Sequence, residues 1–122
     1  MSTKGLNLAP TSTPAQVSAF DYQFFDHVTM SDLALQREVL MLFRAQINEA
    51  ITAIPLMTLA DDWRHMLHRL KGAALAVGAN AIAACAQRWE NRMPIELIDA
   101  GYAREEIELL GRDFFAEAKF IN

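Results

Sequence analysis

One segment of the sequence, residues 61–78, carries the side chains best suited to chemistry. On an α-helix, where successive residues turn by about 100°, His68 falls roughly opposite a broad apolar stripe. That stripe consists of Trp63, Met66, Leu70, Ala73 and Val77. Because an apolar stripe faces a protein core, we expect the imidazole of His68 to face water, where it is available as a nucleophile.

Two neighbours of His68 favour an encounter with a phosphoryl group. Lys71 places an ammonium beside the ring, which attracts phosphoryl oxygens and disfavours a second positive charge on the imidazole. Gly72 lies one turn beyond His68 on the same face, although glycine inside an exposed helix costs about 1 kcal/mol relative to alanine. We interpret the missing side chain as space through which a bulky partner reaches the ring.

These residues have the pattern of a known family. Residues 68–72, His-Arg-Leu-Lys-Gly, resemble the His-x-x-Lys-Gly signature of histidine-containing phosphotransfer (HPt) domains. The small residues 73–74 fit that pattern, Gly78-Ala79 resembles its usual Gly-Ala pair, and Trp89-Glu90 falls where many members have an apolar residue followed by Glu. The specific motif covers residues 63–90, and the similarity in helix layout extends from Phe20 to the C-terminus.

The resemblance implies a function and a set of partners. His68 would take a phosphoryl group from an aspartyl phosphate on the receiver domain of a response regulator or a hybrid sensor histidine kinase, and pass it to another receiver. Lys71 would balance phosphoryl charge, and Gly72 would give access. Mg²⁺ would belong to the receiver, with no cofactor in this chain. We expect no autonomous enzyme activity, because the sequence has no glycine-rich phosphate loop and no Walker-type motif.

The elements that position these residues are predicted to be helices. A short aromatic segment, residues 20–25, precedes four longer helical segments at about 32–54, 61–77 (starting at Asp61 or Asp62), 81–91 and 102–122. Ser31 and Asn80 are plausible N-caps, and Gly78 suits a helix stop. The apolar face of the first long helix is predicted to contain Leu33, Leu40, Phe43, Ile47, Ile51 and Ile54. His27 falls in the connection before it and has no expected chemical role.

Short connections between amphipathic helices, without any strand signal, predict the fold class. It is an all-α, antiparallel up-down four-helix bundle with a short additional N-terminal helical segment. Residues 1–18 are predicted to form a flexible N-terminal tail, and residues 19–122 to form the phosphotransfer domain.

Composition and charge exclude several classes of partner and location for this protein. The net charge of -4 argues against nucleic acid and against an anionic membrane surface as partners. Charges interrupt every apolar run, so we expect no membrane span. The single cysteine, Cys85, excludes an intramolecular disulfide and is expected to be buried and inert on the third long helix. We expect a cytoplasmic monomer.

The face around His68 leaves other interpretations open. Asp61, His65 and His68 are spaced i, i+4 and i+7, as metal ligands could be, but further donors would have to come from another helix. His65 is more simply a surface or docking residue than a second phosphorylation site. The candidates for partner docking are Arg64, His65, Arg69, Leu75 and Ala79.

Two further functions compete with the phosphocarrier. A helical adaptor would bind and sequester receiver domains without phosphotransfer, although it would have no need for Lys71 and Gly72 beside an uncovered imidazole. The phosphorylated module of a chemotaxis-type kinase would fit only if the chain were a fragment. Transfer and binding measured with the same receiver separate the adaptor from the carrier.

Overall fold

The structure, a computed structural model, describes residues 17–92 and 97–121. Within these ranges it contains five α-helices and two 3₁₀ turns, and no strand. The helices are α1 (Tyr22–Val28), α2 (Leu33–Ala53), α3 (Ala60–Val77), α4 (Asn80–Glu90) and α5 (Leu97–Ala118), and the 3₁₀ turns are Ile54–Leu56 and Lys119–Ile121. The predicted all-α class is confirmed. Most of the predicted tail, residues 1–16, lies outside the described residues.

The four long helices surround one core. α2 packs against α3, α3 against α4, α4 against α5, and α5 against α2. The largest fully buried apolar side chains come from every helix and both 3₁₀ turns: Phe25, Phe43, Ile54, Trp63, Leu67, Ile82, Ile107, Phe114 and Ile121. Each long helix therefore buries one face and leaves another exposed, as amphipathic periodicity requires.

The aromatic segment closes one end of this core. Phe20 and Phe25 are buried, and the Phe20 ring stands edge-on to Phe114 of α5 with centroids 4.8 Å apart. α1 itself is longer than the predicted segment. His27 lies in its last turn rather than in the connection that follows, because the helix continues to Val28.

The start of α2 is set by Asp32, not by the predicted Ser31. The Asp32 carboxylate accepts a hydrogen bond from the Leu35 N–H at 3.1 Å, which satisfies one of the otherwise unpaired donors of the first turn. Ser31 has φ +57°, in the left-handed region, and its hydroxyl donates to Asp26 instead. An N-cap residue needs an extended backbone, so the neighbouring aspartate takes the position.

The apolar face predicted for α2 is largely confirmed. Leu40, Phe43, Ile47 and Ile54 are buried, and Ile51 is half-buried against the core. Leu33 is 46% exposed, and its prediction is wrong. At this end of α2 the interior position belongs to Gln36, whose amide donates to Thr29 and Asp26 of the preceding segment.

Length and composition alone would let Leu33–Leu56 cross a membrane. The prediction that no segment approaches such a span is wrong on that measure, because Arg44 and Glu49 are the only charged residues from Val39 to Leu56. A core helix of a globular bundle passes the same test, and α2 places Leu40, Phe43 and Ile47 in the core.

A tight turn joins α3 to α4. Gly78 ends α3 in the left-handed conformation, with φ +77°, and the N–H groups of Gly78 and Ala79 donate back to Leu75 and Ala74. α4 begins at once with Asn80, so the N-cap is Ala79 and the prediction for Asn80 is wrong.

α5 begins at Leu97, five residues before the predicted Tyr102. The helix continues through Gly101, where an added Cβ would meet no heavy atom within 4 Å. Glycine inside a helix costs about 1 kcal/mol relative to alanine, but it does not end the helix when the flanking residues remain helical. Asp99 in the first turn also favours this start, since a carboxylate stabilises the positive N-terminal end.

Polar groups in the core connect α3, α4 and α5. The Trp63 indole donates to the Trp89 carbonyl at 2.8 Å, and the Trp89 indole donates to Glu106 at 2.9 Å. Cys85 is fully buried next to these groups. Burial, with a smaller contribution from the Glu106 charge, raises the pKa of Cys85 to about 12. The predicted burial of the thiol is confirmed, and the raised pKa keeps it protonated near neutral pH.

Candidate functional site

His68 lies in the middle of α3 with its side chain 67% exposed. The helix is anchored by its opposite face, where the predicted residues Trp63, Met66, Leu70 and Val77 are buried. The buried face is wider than the predicted stripe and also includes Leu67, because α3 has neighbours on two sides. The predicted exposure of the imidazole is confirmed.

Glu90, the last residue of α4, faces both His68 and Lys71. Its Oε2 lies 3.2 Å from Nδ1 of His68, and its Oε1 lies 3.4 Å from Nζ of Lys71. The Glu90 side chain is 19% exposed. Oε1 is buried and has no well-aligned hydrogen bond in the described part of the chain, which leaves the Lys71 ammonium as its charge partner.

This contact fixes the roles of the two imidazole nitrogens. An ionised carboxylate only accepts hydrogen bonds, so Nδ1 of His68 carries the proton in this pair. The lone pair is then on Nε2. A neutral imidazole held in this tautomer presents a nucleophilic nitrogen at the surface of α3.

Lys71 is less simply placed than the sequence suggests. Its side chain is 24% exposed and its ammonium is paired with Glu90. The imidazole of His68, the carboxylate of Glu90 and the ammonium of Lys71 therefore form one group of three. An ammonium has three donors. Lys71 can therefore keep its contact with Glu90 while it contacts the oxygens of a phosphoryl group on His68.

Gly72 leaves open space beside the ring. A Cβ at this position would meet no heavy atom within 4 Å, and the residue has ordinary helical geometry without a positive φ. Neither packing nor backbone conformation within the described chain requires glycine here, although it weakens the helix by about 1 kcal/mol. A partner that approaches this face of α3 would supply a reason for glycine at this position.

Four of the five docking candidates are exposed. Arg64, His65, Arg69 and Leu75 lie on the surface of α3, and Arg64 forms an ion pair with Asp61. Ala79 is fully buried, so its prediction as a docking residue is wrong. The N–H of Asp21 donates to the Gly78 carbonyl at 2.8 Å, and this contact places the turn against the segment that leads into α1.

The metal-site alternative at Asp61, His65 and His68 gains no support from the geometry. The Asp61 carboxylate is paired with the guanidinium of Arg64. Across residues 17–92 and 97–121, no three His, Cys, Asp or Glu side chains converge as metal ligands would.

Glu90 is the site residue that the sequence did not assign. The Trp89-Glu90 pair contributed to the family resemblance, but its distance from His68 along the chain concealed the contact. The sequence signal for this contact is the position of the turn, because His68 and Glu90 are each eleven residues from Ala79. Two helices folded back at that turn bring positions equidistant from it side by side.

Comparison with known proteins identifies the family of this chain. A family model described as the Hpt domain matches residues 34–113, about two thirds of the chain. The matched range begins within α2, ends within α5, and contains His68, Lys71, Gly72 and Glu90. No curated protein and no solved structure matches the chain.

Proposed function

The chain belongs to the Hpt domain family, whose members carry out histidine phosphotransfer in phosphorelays, and from that premise we propose that His68 is its phosphoacceptor. The protein takes a phosphoryl group from an aspartyl phosphate of one receiver domain and passes it to another. The observation that carries this proposal is an exposed imidazole, held by Glu90 through Nδ1, beside the unexplained glycine at position 72.

The proposed transfer is a displacement at phosphorus, in which one bond forms and one bond breaks. The Nε2 lone pair of His68 forms the N–P bond, and the P–O bond to the receiver's aspartate breaks, which leaves that aspartate as a carboxylate. The ring then carries positive charge, and the Glu90 carboxylate at Nδ1 stabilises it. Lys71 offsets the negative charge of the phosphoryl oxygens. Onward transfer is the reverse step with a second receiver.

We place the Mg²⁺ of the reaction in the receiver. The carboxylate that contacts His68, Glu90, is already shared between the imidazole and the Lys71 ammonium, and a divalent cation prefers several oxygen ligands. This chain presents the nucleophile and one balancing cation, which suffices because phosphoryl transfer depends mainly on positioning and charge stabilisation.

We propose that receivers dock on the exposed face of α3 around Gly72. Leu75, 51% exposed, gives this face an apolar contact, and Arg64, His65 and Arg69 surround it with polar groups. An apolar residue beside polar ones suits a transient interface. We further propose an antiparallel up-down order for the four long helices, a monomeric cytoplasmic protein, and a hybrid sensor histidine kinase upstream.

Transfer from a phosphorylated receiver tests the proposal. Wild-type protein should acquire an acid-labile, base-stable label, and His68→Gln should acquire none. The matched control is His27→Gln, because His27 is also an exposed helical histidine but lies on α1, away from the site. A label on His68→Gln would show that the site is wrong. Receiver binding without any transfer to wild-type protein would favour the adaptor.

A further inference from the structure

The groove between α2 and α5 collects arginines that have no acidic partner among the described residues. Within the described ranges, four of the eight arginine side chains have no carboxylate within 4 Å, namely Arg37, Arg44, Arg69 and Arg112. Three of the four, Arg37, Arg44 and Arg112, line this one groove. Their concentration stands out because the chain as a whole has an excess of acidic residues.

The groove is open and apolar at its base. It consists of two clefts of about 390 and 280 Å³ that adjoin each other, because Arg44 and Phe115 line both of them. Leu40 and Met41 line the first cleft, and Met41 is 67% exposed. An elongated ligand with apolar side chains would fit along the two helices.

The structure holds two of the guanidinium groups in place. The guanidinium of Arg44 stacks over the Phe115 ring, 3.8 Å from its centroid, and stacking leaves the N–H donors at the edge for a ligand. Arg37 donates from Nε to the Ile121 carbonyl at 2.9 Å, and this hydrogen bond does not use the two terminal nitrogens of the guanidinium. Because both side chains are already ordered, a carboxylate ligand loses less affinity to side-chain ordering.

The spacing of these two arginines matches a helical ligand. Arg37 and Arg44 are seven residues apart on α2, which is about 10.5 Å along the axis. Carboxylates seven residues apart on a second helix have the same spacing. Glu108, the acidic residue in the second cleft, does not cancel the positive charge because Arg104 pairs with it at 3.0 Å.

We propose that the α2–α5 groove binds an acidic amphipathic helix of a partner protein. Glutamates or aspartates at i and i+7 pair with Arg37 and Arg44, and apolar side chains between them pack on Leu40, Met41 and Phe115. The groove lies between the two long helices that carry neither His68 nor Glu90. This surface is therefore separate from the phosphotransfer site, and the inference does not depend on the proposed function.

Two other occupants fit the groove less well. A flat anionic bilayer does not enter a concave surface, and the net charge of -4 opposes its approach. A symmetric dimer through this groove would bring the same three arginines of both copies together, since a two-fold interface uses the same patch twice. Like charges facing each other across an interface are unfavourable.

A titration with a designed peptide tests the inference. The probe is a synthetic amphipathic helix with glutamates at i and i+7 and leucines at i+3 and i+4, and the control peptide has the same composition with its glutamates moved to the opposite face. Backbone amide shifts of the ¹⁵N-labelled protein locate the binding, and calorimetry gives Kd. We expect shifts confined to α2 and α5, and weaker binding of the probe at high salt because screening acts on exposed charges.

Variants assign that binding to the arginines. Arg37→Gln/Arg44→Gln should weaken binding by roughly tenfold, since two exposed ion pairs together contribute about 1–2 kcal/mol. Arg69→Gln, which removes from α3 another arginine without a carboxylate partner in the described ranges, should leave the Kd of the probe peptide unchanged. The inference is overturned by equal binding of both peptides, by salt-independent binding, or by shifts outside α2 and α5. It is also overturned if the groove binds phosphatidylserine vesicles or a second copy of the chain instead of the probe.

Discussion

Replacing Gly72 with alanine should stabilise the fold and slow phosphotransfer. An added Cβ meets no heavy atom within 4 Å, so the methyl group causes no clash within the described chain. Alanine is favoured over glycine in an exposed helix interior by about 1 kcal/mol. For a domain of about this size, that gain corresponds to a rise of about 4 °C in Tm.

In the proposed docking mode, the same methyl group occupies space that the receiver needs in order to reach His68. Misplacing reacting groups by about 1 Å can cost about 100-fold in rate. A longer side chain fills more of the space, so Gly72→Gln should slow transfer by at least about tenfold, and Gly72→Ala by less. Relative to wild type, both variants should therefore be more stable and slower in transfer, since alanine and glutamine are each better helix formers than glycine.

Gly101→Ala is the matched control for this series. Gly101 is also a helical glycine whose added Cβ would meet nothing within 4 Å, but it lies on α5. It should gain similar stability without any change in transfer. Urea unfolding measures the first quantity, and single-turnover transfer from a phosphorylated receiver measures the second. If Gly72→Ala is less stable than wild type, or if Gly72→Gln transfers at the wild-type rate, the reasoning from access is wrong.

Three other substitutions test the surroundings of the site. Glu90→Gln keeps an acceptor for Nδ1 of His68 but loses the negative charge. We therefore expect single-turnover transfer to slow about tenfold, and an unchanged rate would contradict the role of the carboxylate. Gly78→Ala should lower the free energy of unfolding in urea by about 2–3 kcal/mol, because φ is +77° and the added Cβ would lie 2.7 Å from a backbone carbonyl oxygen. A variant with near wild-type stability would refute this strain. Partial burial raises the pKa of Glu106, but hydrogen bonds from Arg88 and Trp89 and the Arg88 charge together hold it below 4.5. The stability from ionised Glu106 is present above pH 4.5 and lost as pH falls through the lower folded-state pKa, so unfolding of Glu106→Gln should depend less on pH in that acid range.

The features that the sequence predicted well are those that local periodicity determines. The phase of α3 alone placed His68 opposite Trp63, Met66 and Leu70, and the left-handed stop at Gly78 follows from its residue type. Caps were less predictable where two suitable residues are adjacent. Ser31 and Asp32 both have capping side chains, and only the backbone conformation of the turn decides between them.

The features that the sequence missed depend on contacts between distant segments. Ala79 is buried because the backbone of Asp21 pairs with Gly78, 57 residues further along the chain. The contact between Glu90 and His68 requires α3 and α4 to fold back on each other in one register. A helical pattern predicts which face of each helix is apolar, but it does not state where one helix meets the next.

The register of the α3–α4 hairpin connects the site to the core. Trp89, directly before Glu90, accepts a hydrogen bond from the Trp63 indole through its carbonyl, so the end of α4 is fixed against α3 by a core side chain. Because each residue turns a helix by about 100°, inserting or deleting one residue in α4 would carry Glu90 away from the imidazole and Trp89 out of the core together. The contact that favours one tautomer of His68 therefore depends on the same packing that stabilises the fold.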